Sequence, residues 1–331
     1  MLAAPARGDI DYLLYRKLTT SMFKVEAVNP DGSVSLGTGV AVAPGIIATN
    51  CHVTRRAAAV ELVQGALRRS VQSQESDMEH DLCLLHAPAA DDVPPVVLSR
   101  ERLITGQALM AVGFIGGIGA RLNAGEVVAL YEYDGGQVIR TTTHFNSGAS
   151  GGGLFDDAGR LVGLLTFRAR GGYDNNFSIP VAWILRNLER FDGRPIRPLT
   201  GVPFWQRGSD EHPFFLRAAT LEAQGNWSDL VATAREWSFA EANNASSWLT
   251  LGKAHYHLNE NDDAIWACHH AVSIDPDLAD AWYNLGLAYL GNGADSEAEN
   301  VYHRLRELNP RLAEKLSKTL PSCNDKPTVN C

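Results

Sequence analysis

The sequence predicts a chain of two folded parts, the first rich in β-strands and the second built of α-helices. Glycine and β-branched residues are dense in the first part, whereas alanine, leucine and glutamate dominate the second. A length of 331 residues is enough for two hydrophobic cores. The prolines between residues 194 and 203 predict a semi-rigid linker at the join. The predicted divisions are the β-rich domain, the linker, the helical domain and a C-terminal tail, at residues 1–198, 199–212, 213–318 and 319–331.

Two short apolar segments of the first part, residues 37–43 and 45–49, favour β-strands. The Pro44-Gly45 pair between them predicts a tight turn. His52 follows the second segment closely, where the predicted strand ends. We therefore expect its imidazole to be held by a rigid sheet and to remain accessible from a cleft.

Asp81 stands directly before residues 82–85, Leu-Cys-Leu-Leu, a run that is typical of a buried strand. A carboxylate at the mouth of such a strand is partly desolvated and needs a charged or hydrogen-bonding partner. The imidazolium of His52 would be a suitable partner, because a carboxylate that orients an imidazole stabilises its charged form.

Ser150 lies in a glycine-rich segment, residues 148–153, Gly-Ala-Ser-Gly-Gly-Gly. Glycines permit positive φ and the close approach of a substrate backbone. They also let successive N–H groups point into one concavity, which is the arrangement that stabilises an oxyanion. A serine hydroxyl is a poor nucleophile at neutral pH and needs an imidazole and a carboxylate. His52, Asp81 and Ser150 together therefore indicate covalent catalysis.

Each of these features alone is more often structural than catalytic. Ser147 is the nearest alternative nucleophile, but it lacks the Gly-Gly pair that follows Ser150, and we interpret it as a turn or cleft-lining residue. The alternative bases are His80, His86 and His144. The first two flank the apolar run described above and are expected at its surface or its ends.

The motifs T-N-x-H-V, D-L-x-L-L and G-x-S-G-G, in this order, resemble those of the chymotrypsin/trypsin-like serine peptidases, especially the bacterial HtrA/Deg-like branch. The resemblance covers about residues 14–192. It implies an all-β domain of two six-stranded antiparallel barrels with a substrate cleft between them. It also implies that His52 is the general base, Asp81 the orienting acid and Ser150 the nucleophile. The backbone N–H groups of Gly148 and Ser150 would form the oxyanion hole.

The same resemblance implies which residues bind substrate. Thr166, Phe167 and Arg168 would line the specificity pocket and pair with the substrate backbone. His144 and Phe145 would lie near the base of the primary pocket. Neither of these two is acidic, so a strong preference for lysine or arginine is not expected. A preference for an acidic side chain, through His144, and one for small apolar side chains, through Phe145, both stay open.

Two departures from the family pattern matter. Ala149 precedes the nucleophile, where digestive members have an aspartate that pairs with a new N-terminus and HtrA-like members usually have asparagine. Activation by that kind of cleavage is therefore not expected. No recognisable PDZ segment follows the protease-like part of the sequence.

The second part of the chain has a period of 34 residues. The matched pairs are Trp248/Trp282, Leu251/Leu285, Gly252/Gly286, His255/Tyr289, Ala264/Ala298, Cys268/Tyr302, Ala271/Leu305 and Pro276/Pro310. This pattern resembles the tetratricopeptide repeat, a helix–turn–helix unit of that length. Because one such hairpin cannot bury its apolar face alone, the units must stack into an all-α solenoid. A degenerate first repeat is predicted to begin at Phe214, and residues 311–318 are predicted to form a capping helix.

Charge and motif content bound the partners. Residues 1–198 hold 19 Lys+Arg against 20 Asp+Glu, and the remainder holds 10 against 18. An acidic helical half argues against nucleic acid or an anionic membrane as the main partner. It is compatible with basic or extended peptides in the repeat groove, and equally with a merely solvated acidic surface. No metal-binding spacing of histidine and cysteine occurs, so no metal and no cofactor is expected.

Five cysteines leave the compartment open. We interpret Cys51, Cys83 and Cys268 as small buried residues. Cys323 and Cys331 either close a short disulfide loop, as suits an oxidising compartment, or remain free thiols. Residues 1–6 resemble the stub left when a leader is removed and a start methionine supplied. No transmembrane segment is expected. A periplasmic or secreted location is predicted, with the cytoplasm as the alternative.

The sequence therefore predicts a serine endopeptidase that acts on protein or peptide substrates. The repeats would capture substrate, bind an adaptor protein or support self-association. The alternative is a catalytically idle or partner-activated protease fold that serves as a protein-binding scaffold. Retention of His52, Asp81 and Ser150 argues against an idle site.

Overall fold

The structure of the chain is a computed structural model that describes residues 12–116, 119–169 and 175–321. Its described part contains two β-sheets followed by a stack of helices. The Cys323–Cys331 disulfide considered above and residues 1–6 lie outside the described residues.

The first sheet is antiparallel and has eight strands in the order β14-β6-β7-β3-β2-β1-β4-β5. Its strands are β1 (Met22–Val28), β2 (Val34–Ala43), β3 (Ile46–Thr49), β4 (Ala59–Gln64), β5 (Leu67–Ser70), β6 (Ser73–Asp77), β7 (Leu82–His86) and the distant β14 (Arg194–Pro195). Two helices accompany it, α1 (Tyr12–Thr19) and α2 (Cys51–Thr54). The hairpin predicted at Pro44-Gly45 is confirmed, because β2 and β3 pair around it and Gly45 has φ +63°.

The second sheet closes into a barrel of six strands in the order β10-β13-β12-β11-β8-β9. Its strands are β8 (Ala108–Ile115), β9 (Gly119–Tyr133), β10 (Gly136–Thr141), β11 (Gly153–Phe155), β12 (Leu161–Arg168) and β13 (Asn176–Pro180). The helix α3 (Val181–Leu188) follows β13 and buries Trp183 and Ile184 completely. The substrate cleft that the sequence predicts would lie between this barrel and the first sheet.

Up to residue 321, the helical part consists of three hairpins and a further helix. Its helices are α4 (Phe214–Ala223), α5 (Trp227–Ala240), α6 (Ala245–His257), α7 (Asn261–Ile274), α8 (Ala279–Gly291), α9 (Asp295–Leu308) and α10 (Pro310–Ser317). The first hairpin begins at Phe214, where the period places a degenerate repeat. Gly252 allows close packing inside the second hairpin, because a Cβ there would lie 2.4 Å from Cys268 Sγ. The predicted fold class, a barrel-containing β-domain followed by a helical repeat domain, is confirmed. Of the two six-stranded barrels expected, the second is closed in the described residues, whereas the first is an eight-stranded sheet that β14 joins at one edge.

The barrel and the first helical hairpin share one hydrophobic core. Phe204, from the predicted linker, is fully buried, and its ring centroid lies 5.8 Å from that of Phe215 in α4 and 5.3 Å from that of Tyr133 in β9. Tyr131 stacks on Phe215 at 5.4 Å. The repeats are therefore packed against the barrel through aromatic side chains.

Polar contacts join the same two parts further along the interface. Asn309 Nδ2 donates to the backbone oxygen of Thr105 at 2.9 Å, and Arg102 Nη1 lies 3.1 Å from Asp275 Oδ1. The Thr105 hydroxyl donates to the carboxylate of Asp280 in α8. These contacts fix the second and third hairpins, and the start of α10, to the loop before β8.

Glu222 at the end of α4 has two cationic neighbours. Lys253 Nζ lies 2.6 Å from Glu222 Oε1, and Arg140 Nη1 lies 3.5 Å from the same oxygen. Burial alone would raise the pKa of Glu222, but Lys253 and Arg140 outweigh it and hold the pKa below its usual range.

Within the described ranges, every helix is too short or too polar to cross a bilayer.

We predict that Asp280→Asn stabilises the chain at neutral pH. Burial raises the pKa of Asp280, although the Thr105 hydrogen bond opposes the shift. The folded chain therefore binds this proton more tightly than the unfolded chain, and stability from this group is lost as the pH rises above about 4. Asparagine keeps an oxygen for the Thr105 hydroxyl and carries no charge. The expected result is a Tm higher by a few degrees at pH 7, with the difference shrinking towards pH 4.

The matched control is Asp277→Asn, since Asp277 is an exposed carboxylate on the same segment of the chain, where it pairs with Arg304. Its Tm should change little between the two pH values. A Tm of the Asp280→Asn variant that is lower than wild type at pH 7, or a difference that does not depend on pH, would contradict the prediction.

Candidate active site

His52 lies in the single turn of α2, which starts directly after β3. Asn50, which precedes α2, is fully buried, and its Nδ2 donates to the backbone oxygen of Asp81 at 2.9 Å. The N–H of Cys51 donates to the same oxygen at 3.2 Å. The turn that carries His52 is therefore tied by two hydrogen bonds to the turn that carries Asp81.

The carboxylate of Asp81 is fully buried and accepts two hydrogen bonds from His52. Oδ1 accepts from the backbone N–H at 2.8 Å, and Oδ2 lies 2.6 Å from Nδ1 of the ring. Asp81 has φ +58°, a left-handed conformation that aspartate tolerates better than most residues with a side chain. The pairing follows from topology, since β3 and β7 are antiparallel neighbours and the two residues lie just beyond their adjacent ends.

A third donor reaches the same carboxylate from the predicted linker. Trp205 Nε1 lies 3.0 Å from Asp81 Oδ2. Its ring stands edge-on to the imidazole of His52, with centroids 5.5 Å apart at 87°, and stacks on Phe167 at 5.0 Å and 7°. Sequence reasoning missed Trp205, because no motif surrounds it and it lies 124 residues from Asp81 along the chain.

The glycine-rich loop with Ser150 is held against β2. Thr38 provides two of its contacts: the backbone N–H donates to Ser150 O at 2.8 Å, and the hydroxyl donates to Gly148 O at 2.8 Å. Gly151 has φ +81°, and a Cβ there would lie 2.2 Å from Thr38 O and 3.0 Å from Asn50 N. Only glycine fits this approach. It places the loop against Asn50, which lies two positions before His52 in the sequence.

Ser150 itself is partly exposed and lies beside the His52 turn. A Cβ on Gly37 would lie 2.6 Å from Val53 Cγ1 and 3.2 Å from Ser150 O, so both neighbours pack on one glycine. Among the residues that the structure describes, no hydrogen bond joins Ser150 Oγ to the His52 ring. The structure thus joins His52 to Asp81 by a direct contact. It holds the backbone of Ser150 against β2, next to the turn that carries His52.

Two backbone N–H groups of this loop have no acceptor. Within the described part of the chain, neither the Gly148 N–H nor the Ser150 N–H donates a hydrogen bond, whereas Ala149, Gly151 and Gly152 all do. Gly148 has φ +95°. The buried Ala149 side chain packs so closely on β8 that a Cβ at Gly113 would lie 2.9 Å from it. The loop therefore offers two free donors on either side of a fixed small residue.

The residues proposed for substrate binding differ in environment. Thr166 is buried, donates to Leu164 O at 2.8 Å and accepts from Asn50. Phe167 is 5% exposed and stacks on Phe177 on its other side, while Arg168 is exposed. Phe145 is buried in the core of the barrel, and the adjacent His144 is exposed.

The alternative bases have other partners. His80 is buried, with Nδ1 2.7 Å from Asp77 Oδ2 and Nε2 3.0 Å from Asp134 Oδ2. Asp77 has its pKa lowered, because the hydrogen bond and charge of His80 outweigh the effect of burial. His86 packs edge-on to Phe191 at 6.1 Å. In the described structure, neither histidine contacts the carboxylate of Asp81.

One group of described residues, His255, Glu260 and Asp263, has potential metal-ligating atoms within 4.8 Å of one another. Both carboxylates are exposed, and His255 Nδ1 already lies 2.6 Å from Glu260 Oε2. Such groups are common on protein surfaces, and we assign no metal to this one.

Cys51 and Cys83 are both buried, as expected from the sequence, but they form a disulfide bond. Their Cα atoms are 4.9 Å apart. The bond links the residue before His52 to the second residue after Asp81. The strand register could have predicted the bond. Thr49 of β3 lies opposite Cys83 of β7, and Cys51 follows Thr49 by two positions.

Comparison with known families gives matches in both parts of the chain. Residues 37–164 match the family described as a trypsin-like peptidase domain. Residues 252–293 match a TPR repeat family, and residues 279–312 match a tetratricopeptide repeat family.

Curated relatives match the β-rich half. The peroxisomal leader peptide-processing protease of Homo sapiens is 30% identical over 178 residues, covering 47% of this chain and 31% of that protein. A probable periplasmic serine endoprotease DegP-like of Marinomonas sp. is 32% identical over 180 residues, covering 51% of this chain and 38% of that protein. The chain thus spans about a third of the length of these relatives.

Solved structures share the fold. The active form of the Rv3671c protease from M. tuberculosis aligns with a TM-score of 0.54 at 20% identity, covering 60% of this chain and 92% of that one. The serine endoprotease from Yersinia pestis aligns with a TM-score of 0.50 at 24% identity, covering 57% of this chain and 67% of that one.

We predict that the Cys51–Cys83 bond stabilises the chain by about 3–4 kcal/mol, since it closes a loop of about 32 residues in the unfolded state. The Cys51→Ala/Cys83→Ala variant should lose that amount in chemical denaturation. Reductant should lower the stability of the wild-type chain and leave that of the double variant unchanged. Equal effects of reductant on both proteins would contradict the prediction.

Proposed function

We propose that the chain is a serine endopeptidase with His52, Asp81 and Ser150 as its catalytic residues. Support comes from the match of residues 37–164 to the trypsin-like peptidase domain family and of later residues to tetratricopeptide repeat families. The observation that carries the proposal is the contact between His52 Nδ1 and the buried Asp81 carboxylate, at 2.6 Å. A histidine whose Nδ1 is fixed in this way presents Nε2 as the free base.

In the proposed reaction, His52 Nε2 accepts the proton of the Ser150 hydroxyl while Ser150 Oγ forms a bond to the scissile carbonyl carbon. The imidazolium that results is stabilised by the Asp81 carboxylate. His52 then gives the proton to the leaving amine as the carbon–nitrogen bond breaks. A water molecule, deprotonated by His52, releases the acyl group from Ser150 by the same route.

The negative charge on the carbonyl oxygen would be held by the N–H groups of Gly148 and Ser150. Support comes from their lack of any acceptor among the described residues, while the N–H groups of Ala149, Gly151 and Gly152 are all hydrogen-bonded. Donors that are already oriented need no reorganisation when the charge develops, which is the main advantage of such a site.

Substrates would be proteins or peptides that pass beside Thr166, Phe167 and Arg168. The repeats would bind substrate segments, an adaptor protein or a second copy of the chain, since stacked helical hairpins form concave binding surfaces. Phe145 and His144 remain the residues that we propose near the primary pocket. The burial of Phe145 favours a structural part for its ring in shaping that region.

We propose a periplasmic or otherwise exported location, with the cytoplasm as the alternative. A buried disulfide suits an oxidising compartment, because cytosolic thiols are kept reduced. The DegP-like relatives are named as periplasmic, whereas the human relative is named as peroxisomal.

A second candidate is a protease fold that works only when a partner completes its site. The observation that favours it is that no hydrogen bond joins Ser150 Oγ to His52 in the described chain. In that case a partner would bind the repeats, which pack directly on the barrel. The change in structure on binding would reach the site through the core that the two parts share.

We predict that Ser150→Ala lowers kcat by about 10⁶-fold, the scale for loss of such a nucleophile, with the fold intact. The measurement is labelling by a fluorophosphonate probe together with cleavage of fluorescein-labelled casein. Ser147→Ala is the matched control, since Ser147 is the neighbouring serine, and it should be labelled as wild type.

Labelling of the Ser150→Ala variant at the wild-type rate would exclude Ser150 as nucleophile. A folded wild-type chain that is never labelled would support the idle or partner-activated alternative.

A further inference from the structure

We infer that Trp205 is a positioning residue of the active site, which acts by donating its indole N–H to the catalytic carboxylate. This inference rests on the proposed function. Trp205 Nε1 lies 3.0 Å from Asp81 Oδ2, the same oxygen that faces His52 Nδ1. The indole thus contacts the acid that orients the base and does not contact Ser150.

The carboxylate of Asp81 is fully buried and has three N–H donors, two from His52 and one from Trp205. Hydrogen bonds to an ionised oxygen are stronger than neutral ones, and low local polarity increases their effect. With both oxygens bound, the carboxylate cannot rotate away from His52 Nδ1 without breaking a bond. His52 contacts both oxygens, and Trp205 adds a second contact to Oδ2 from outside the His52 turn, which we infer holds that oxygen in place against Nδ1.

In the described structure, no other nearby side chain donates a second hydrogen bond to Asp81 Oδ2. The hydroxyl of Thr166, on the strand beside the site, donates to Leu164 O and accepts from Asn50. The remaining hydrogen bonds of Asp81 involve its backbone: the oxygen accepts from Asn50 and Cys51, and the N–H donates to Met78 O at 3.3 Å. The second bond to Oδ2 thus depends on the indole alone.

Trp205 is held firmly from both sides. Phe204 is fully buried, and its N–H donates to Glu79 O at 3.0 Å, while Arg207 forms an ion pair with the Glu79 carboxylate. The indole face stacks on Phe167 at 5.0 Å. A donor anchored by its neighbours on each side loses little conformational entropy when it binds.

The same segment leads directly to the repeats. The ring centroid of Phe204 lies 5.8 Å from that of Phe215 in α4. The ring of Tyr133 lies 5.4 Å from the same Phe215, and its hydroxyl donates to Glu79 Oε1 at 3.1 Å. The peptidase site therefore uses a residue from the segment that connects it to the helical part. The β-rich domain without that segment would lack one donor to Asp81.

The test is Trp205→Phe in the full chain, since phenylalanine retains a ring for Phe167 and lacks the N–H. The measured quantities are kinact and KI for a fluorophosphonate probe, read against probe concentration. We expect kinact to fall about 10- to 100-fold, as for loss of a hydrogen bond to a charged group, with KI unchanged. Trp248→Phe is the matched control, because its indole donates to Ala242 O in the repeats, and both constants should equal wild type.

A double-mutant cycle separates positioning from a role as a cleft wall. If Trp205 acts through Asp81, Trp205→Phe should cause no further loss of kinact in the Asp81→Ala background, which has no side-chain acceptor for the indole N–H. An increase in KI with kinact intact, or the same fractional loss in both backgrounds, overturns the inference. If the wild-type chain is labelled and Trp205→Phe has the same kinact and KI, the inference is overturned while the proposed function stands. A folded wild-type chain that is never labelled overturns both.

If Trp205→Phe does not fold, the contact is tested in the chain with tryptophan at 205. The ¹H–¹⁵N spectrum contains indole N–H signals from seven tryptophans. The inference expects one of them to shift when Asp81 is changed to alanine. Indole signals that are all unchanged by Asp81→Ala overturn it.

Discussion

The structure around the site depends on the need to satisfy one buried carboxylate. An ionised group without partners is very costly inside a protein, so Asp81 must be surrounded by donors. Its three N–H contacts come from a helical turn after β3 and from the linker before α4. Because these donors arrive from distant parts of the chain, satisfying Asp81 requires that the first sheet, the His52 turn and the linker all reach their final places.

The nucleophile loop is subject to a different constraint, which is the close approach of backbones. Gly151 packs against Thr38 and Asn50, and Gly37 packs against Val53 and Ser150 O, at distances that allow no side chain. Thr38 then binds the loop through both its backbone and its hydroxyl. Charge fixes the base and its acid, whereas steric fit brings the serine beside them, so the two halves of the site are determined by separate physical effects.

Local patterns in the sequence predict most of the architecture. The Pro44-Gly45 turn, the strand after Asp81 and the 34-residue period each depend on neighbours a few residues apart or on a repeated unit, and each corresponds to an observed element. The Cys51–Cys83 bond and the Trp205 contact were not predicted, because they depend on strand register and on chain segments 32 and 124 residues apart. Interpretation of residues 199–212 as a linker likewise missed that Phe204 would be a core residue, since a single pair of adjacent aromatics, Phe204-Trp205, has no period.

The aromatic cluster around Phe204 and Phe215 has a consequence for how this architecture can vary. Repeat arrays are commonly treated as interchangeable modules whose stabilities add along the array. Here the first hairpin contributes side chains to the interior of its neighbour, so part of the barrel's own core would be exposed to water if that hairpin were replaced. Recombination that exchanges the helical array as a block would therefore have to preserve α4, while later hairpins are freer to change in number and surface.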